Sequence, residues 1–269
     1  MPATHYKIWG WGDYLERGVM GSRHVGVAGV AKKATEDQPF AVANELICGY
    51  LARVLLLPVP PGFVVEREGE PYYVSLNFNL AGQSLPPANP RRLVEDHPRL
   101  ACGIILFDCW ILNHDRHPEN LAYDTISRRV QLFDHSHAIL PAGMGGEWLD
   151  HNRDRLGIGG HCLKSEITSL DGMRYWYDRI NAVPEYYIEE VVRAAAEVGL
   201  PTELVGSCTD FLLERRRNLL TLVAAHRGEF QQLQPELWEM LEDARVEADA
   251  QDEGQLAATL ANSSGGDDE

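Results

Sequence analysis

Apolar residues recur at helical spacing across residues 40–56, at Ala43, Leu46, Ile47, Tyr50, Leu51, Val54 and Leu55. That period predicts an amphipathic helix. It should stop before Pro58, whose ring restricts the residue ahead of it. Upstream, residues 1–35 mix glycines, aromatics and short strand-like runs. Downstream, residues 63–66 and 72–79 read as strands joined by the turn-prone Glu68, Gly69, Glu70 and Pro71. Residues 80–98 are enriched in proline and predict a linker. Residues 100–113 are apolar almost throughout, broken at Asp108, and predict a buried helix. A polar loop at 114–120 leads to short strands at 121–123 and 130–133. A glycine-rich loop follows at 143–160, then helices at 163–180, 186–198 and 209–225. No internal repeat is visible.

This order predicts an α+β fold of two lobes sharing a cleft. Residues 1–80 form a small β-rich lobe with one main helix, 81–98 a linker and 99–235 a mostly helical lobe. Residues 236–269 are an acidic extension, expected to be disordered from about 251. A chain of 269 residues accommodates one large domain or two lobes at roughly 150 residues per domain.

Charge narrows the function. Forty acidic against 24 basic side chains give −16. Eleven acids and one base (Arg245) lie beyond residue 235, so the tail holds −10 and the rest −6. A nucleic-acid partner is not expected, because a general binder needs a basic footprint. Nor is a membrane partner, since no apolar run approaches the roughly 20 residues of a spanning helix. The N-terminus lacks a basic start followed by an apolar run. Five scattered cysteines without a CxxC point to neither a disulfide framework nor a zinc knuckle. A reduced, cytoplasmic setting is the expectation.

Chemistry concentrates in two stretches: Asn113 to Asn120, and Leu132 to His137. Asp115 precedes Asn120 by five residues, and Asp134 follows it by fourteen. An acid and an amide on one loop, with a second acid at the end of the next hairpin, can converge on one point. Phosphoryl transfer uses such a set: a carboxylate for the attacking hydroxyl and oxygen ligands for Mg²⁺ on the phosphates.

The interval from Asp115 to Asn120 matches the H-R-D-x-x-x-x-N loop of protein kinases. Its D-R-H-x-x-N form resembles the phosphatidylinositol-kinase-related branch and the bacterial HipA-like kinases. The resemblance covers residues of about 25–140 and extends to the helices up to about 228. It implies a two-lobed protein-kinase-like fold using ATP and Mg²⁺, with Asp115 as the catalytic aspartate and Asn120 and Asp134 as metal ligands. His117 would touch the transferring phosphate, and the acceptor would be a protein hydroxyl.

A Lys–Glu pair should then hold the ATP phosphates. Glu45 lies in the first helix. Of the adjacent Lys32 and Lys33, period-2 alternation places Lys33 on a strand face with Ala31, in the A-x-K pattern, and Lys33 is preferred over Lys32. The backbone of Ser75 to Asn77 is expected to bind adenine. Gly18 to Ser22 is a loose phosphate-loop candidate, since no G-x-G-x-x-G precedes the lysines. Asp134 is followed by His135 and Ser136 instead of Phe-Gly, and no A-P-E segment follows.

Two other readings use the same residues. One is a pseudokinase that binds nucleotide or a protein without transfer. The other is a metal-dependent hydrolase built on His114, His117, His135 and His137. Among supporting residues, Arg116 is expected to form an internal ion pair, and Asp108 to bond the loop backbone. Cys102 and Cys109, seven apart, should pack in the core, and Trp9 and Trp11 should pack within the small lobe. No G-x-S-x-G elbow or GxxxxGK[ST] loop is present.

Overall fold

The structure, a computed structural model, describes residues 8–15, 21–78 and 87–233. Most of the phosphate-loop candidate, the start of the expected linker and the acidic tail lie outside the described residues. The elements are a hairpin of β1 (Ile8–Tyr14) and β2 (Arg23–Val27), then β3 (Gly29–Lys33), α1 (Ala41–Val54), β4 (Gly62–Arg67) and β5 (Glu70–Leu76). Next come α2 (Pro90–Asp96), α3 (Pro98–Trp110), and a second hairpin of β6 (Leu121–Asp124) and β7 (Arg129–Leu132). Four helices follow: α4 (Gly146–His151), α5 (Leu170–Asn181), α6 (Glu185–Ala195) and α7 (Thr202–Ala225).

β5 lies between β3 and β4 in an antiparallel sheet of order β3-β5-β4. The register pairs Lys32 with Tyr73 and Val30 with Ser75. α1 packs on this sheet on one side and on α6 on the other. It is therefore buried over most of its circumference, including Asn44 and Glu45. The sheet approaches closely because Gly49 and Gly62 lack side chains: a Cβ at either would overlap the Tyr73 hydroxyl.

α3 is the spine of the helical part. Ile104, Ile105, Leu106 and Phe107 are fully buried, and α2, α5 and α7 pack around it. A helix apolar all round belongs in a core. Cys102 and Cys109 are buried in it as expected. Its last carbonyls are capped from α7. The Arg215 Nε donates to Trp110 O (3.0 Å) and its Nη2 to Cys109 O. Its Nη1 donates to the carbonyls of Asn152, Arg153 and Arg155. The polar loop leaving α3 thus starts from a fixed point.

Several expectations are corrected. Residues 90–96, read as linker, form α2 with Leu93 and Val94 buried. The glycine-rich stretch at 143–160 contains α4. The helix expected from residue 163 begins at Leu170, where the Ser169 hydroxyl accepts from the Gly172 amide (3.0 Å). Trp9 and Trp11 do not pack inward: they are 76% and 62% exposed on the first hairpin, where the Arg23 guanidinium lies over the Trp11 ring.

Candidate functional site: a Lys–Glu–Asp cluster beside an acid–amide loop

β7 ends at Leu132, and two residues later the chain turns sharply at Asp134, with φ of +61°. Asp tolerates this left-handed conformation better than most residues. The Ser136 hydroxyl donates to its Oδ1. Lys32 Nζ sits 2.6 Å from Glu45 Oε1 and 2.7 Å from Asp134 Oδ1, bridging β3, α1 and the turn. Glu45 also accepts the His135 amide at 3.1 Å. Its neighbour Asn44 donates to Ser136 O (2.9 Å) and Leu140 O (3.2 Å). Two consecutive residues of α1 therefore grip the segment that carries Asp134.

The charges reinforce one another. Burial opposes the charge on Glu45, but the His135 hydrogen bond and the Lys32 ammonium outweigh it and lower its pKa. Burial also opposes the Lys32 charge, yet Glu45 and Asp134 raise its pKa overall. At Asp134 burial is outweighed by Lys32 and by the Ser136 hydrogen bond, and the pKa falls from 3.8 to about 2. A carboxylate with a depressed folded pKa stabilises the fold above its unfolded pKa. That contribution is lost as pH falls through the folded value. Between pH 3.8 and about 2, thermal stability should drop more steeply in the parent than in Asp134→Asn. Parallel curves would contradict the ion pair.

The lysine that meets Glu45 is Lys32 and not Lys33. Opposite Lys32 in the sheet is Tyr73, which is 7% exposed and faces α1. Cross-strand neighbours share a face, so Lys32 lies on the inner face with Tyr73 and lines the cleft with Val30, while Lys33 is exposed on the opposite face.

The acid–amide loop is built on a buried ion pair. The Arg116 guanidinium meets Asp108 of α3 through Nε–Oδ2 (2.8 Å) and Nη2–Oδ1 (3.1 Å), both residues being fully buried. Its Nη1 donates to Asn120 O and Phe133 O, each at 2.6 Å. One guanidinium thus joins α3, the loop and the strand end preceding Asp134. Asp108 further accepts from Asn113 Nδ2 (2.8 Å) and faces His161 Nε2 (3.1 Å). The Leu163 amide donates to His161 Nδ1, which leaves the Nε2 proton to Asp108. Burial opposes the Asp108 charge, but Arg116 and His161 outweigh it and hold the carboxyl well below its usual range. The expected bonds from Asp108 to the loop backbone are instead bonds to these three side chains.

Within the loop, Asn120 Nδ2 donates to Asp115 O (2.9 Å) and Asp115 Oδ2 (3.1 Å). This orients the amide and leaves its Oδ1 as an oxygen donor. His117 lies beside Asp115, Nε2 to Oδ2 at 3.9 Å, and its Nδ1 accepts the Glu119 amide.

A cleft of about 530 Å³ adjoins the cluster, lined by Val30, Lys32, Glu45, Ser75, Leu76, Asn77, Glu119, Phe133 and Asp134 among others. Its apolar wall includes Phe78 and Phe133, whose rings lie 5.3 Å apart. Ser75 and Asn77 do line it, but not with free strand amides. Leu76 N donates to Pro61 O and Asn77 N to Ala28 O, both at 2.8–2.9 Å. The amides of Leu76 and Asn77 are therefore engaged within the small lobe. The sequence reading also missed Asn44, Glu119 and the phenylalanine wall. Glu119, inside the acid–amide interval, and Phe133, beside Asp134, lay in stretches that pointed there.

The four histidines do not converge. His114 packs edge-on against Trp148, His135 lies against Glu45, and His137 Nδ1 faces Gln38 Nε2. Among the described residues no three His, Cys, Asp or Glu side chains gather as a metal centre. The hydrolase expectation lacks its ligand cluster. The amide oxygen of Asn120 and the carboxylate of Asp134 are hard oxygen donors, which suit Mg²⁺ rather than Zn²⁺.

The fold is similar to that of the proinflammatory kinase CtkA of Helicobacter pylori, with a TM-score of 0.53 and 11% identity over 84% of this chain and 96% of that one. A second solved structure contains HipA and HipB of a Shewanella oneidensis MR-1 toxin–antitoxin system with operator DNA. It aligns with a TM-score of 0.39 and 15% identity over 77% of this chain and 62% of that one. No family model and no curated protein matches the sequence. The chain thus has a kinase-like fold of mixed α and β structure with small sheets. Among the described residues no helix is long and apolar enough to cross a membrane.

Proposed function

We propose that this protein is a HipA-like, two-lobed kinase that moves the γ-phosphoryl group of ATP to a protein hydroxyl. The observation that carries the reading is the Lys32 bridge to Glu45 and Asp134, in a cleft that Glu119 of the acid–amide loop also lines. The likeness to CtkA, a kinase, supports it. Residues 1–80 then form the nucleotide lobe and 99–235 the catalytic lobe, with 81–98 between them and α2 belonging to the latter.

In this reading Lys32, fixed by Glu45, donates to the triphosphate oxygens. Asn120 Oδ1 and the Asp134 carboxylate would hold Mg²⁺, which neutralises phosphate charge when bound. Asp115 orients the acceptor hydroxyl and takes its proton. His117, beside Asp115, contacts the phosphoryl group. Ser75 and Asn77 contribute side chains to the nucleotide end of the cleft.

Calorimetric titration with ATP tests the nucleotide and metal roles. Binding should require Mg²⁺ or Mn²⁺ in the parent, and Asp134→Ala should lose that dependence. Binding with the same metal dependence in Asp134→Ala would remove Asp134 from the metal site. Stoichiometric Zn²⁺ in the purified protein would favour the hydrolase. The pseudokinase reading has no observation of its own, because every side chain the chemistry needs is present.

A further inference from the structure

A second groove, of about 530 Å³, opens where the segment after α1, the start of α3, β7 and α5 meet, and shares no lining residue with the nucleotide cleft. Its charge is unlike that of the chain. The protein carries −16, yet Arg99, Arg128, Arg129 and Arg179 line this groove and no Asp or Glu does. Arg128 meets Asp96 at 3.5 Å, whereas Arg99, Arg129 and Arg179 form no ion pair among the described residues. Arg99 is exposed and stacks over the Tyr175 ring at 4.9 Å. A stacked guanidinium keeps its in-plane N–H groups for a carboxylate.

The rim of the groove is apolar, formed by Leu56, Pro98 and Leu100. Leu56 is 69% exposed. It follows α1 with φ of +61°, the left-handed position after a helix that ordinarily falls to glycine. A leucine there is strained, and left in water it buries nothing in return. A segment that covers this surface must be acidic and apolar at once.

The chain itself carries such a segment. Residues 236–247 hold five acids and one base, with Leu237, Trp238, Met240, Leu241 and Val246 among them. From residue 251 onward only Leu256 and Leu260 are large and apolar. The segment also starts close by. Leu233, the last described residue, is buried together with Phe230. Gln232 lines a cavity whose wall includes Pro98, a residue of the groove itself. The four residues from Gln232 to Glu236 reach up to about 14 Å. We infer that residues 236–247 dock in this groove of their own chain, their carboxylates meeting the arginines and their leucines and Trp238 covering Leu56 and Leu100.

Hydrogen–deuterium exchange of the full chain, read by mass spectrometry and corrected for intrinsic rates, tests the docking. Residues 236–247 should exchange at least tenfold more slowly than 251–269. Arg99→Gln combined with Arg128→Gln should speed exchange of 236–247 at least fivefold. Leu56→Gly fits the left-handed backbone while removing the apolar contact, and should speed it at least threefold. Arg67→Gln, at an exposed arginine outside the groove, should leave it unchanged. Circular-dichroism melts show that each variant is folded. A helix formed by the segment alone would also slow exchange, but it would ignore the groove. Three results would overturn the inference: exchange of 236–247 as fast as 251–269 in the parent, protection indifferent to both groove variants, or protection that grows with protein concentration, which means docking on a second copy.

Discussion

Asp115→Asn should lose phosphoryl transfer by about 10²–10⁴-fold, the usual contribution of a positioned general acid–base group. ATP affinity should change by less than about tenfold, roughly 1.4 kcal/mol. The contrast follows from placement. Lys32, Glu45 and Asp134 form one ion-pair cluster on the cleft. Asp115 is held apart from it, by Asn120 Nδ2 on its carboxylate and Asn113 Oδ1 on its amide. The Asn side chain keeps the shape and can still meet Asn120, but it cannot take a proton. Single-turnover transfer and equilibrium binding, measured on the same preparation, give the two quantities. Full transfer by Asp115→Asn would leave the kinase reading standing and remove this residue from its catalytic role.

The second large effect is on stability. Arg116→Met should cost about 3–5 kcal/mol, because it strands the fully buried Asp108 carboxylate and removes the donor shared by Asn120 O and Phe133 O. Asp108→Leu combined with Arg116→Met should recover only part of that loss, since it removes the stranded carboxylate but leaves Asn113 Nδ2 and His161 Nε2 without their acceptor. Transfer should remain low in the double variant, because the loop and the strand end before Asp134 are no longer joined. Denaturant unfolding of the two variants measures the first claim. A loss below about 1 kcal/mol in Arg116→Met, the range of surface pairs, would contradict it.

The readable parts of the sequence were those where local pattern and tertiary role agree. The 3.6 period gave α1 to within about two residues, and the five-residue interval singled out Asp115 and Asn120, which do contact one another. The lysine was not readable. Alternation says only that Lys32 and Lys33 face opposite ways. Which face is inner depends on Tyr73, forty residues on, and on the glycines that let its ring approach α1. The prolines misled in the expected linker. Pro90 and Pro98 do not break structure there but begin helices, where a missing N–H costs nothing and φ is already helical. The Asn89 side chain caps the first of them by accepting from Arg92 N (3.0 Å). Asn44 was invisible for another reason: a polar residue on a buried helix shows its purpose only when the loop it holds has folded onto it.

The most direct test is transfer of label from γ-labelled ATP with Mg²⁺, to the protein itself and to cell lysate, by the parent, Lys32→Met and Lys33→Met. Label should move with the parent and with Lys33→Met and fail to move with Lys32→Met, because only Lys32 reaches Glu45 and Asp134. A folded parent that binds Mg²⁺–ATP but labels nothing, or a Lys32→Met protein as active as the parent, would contradict the account.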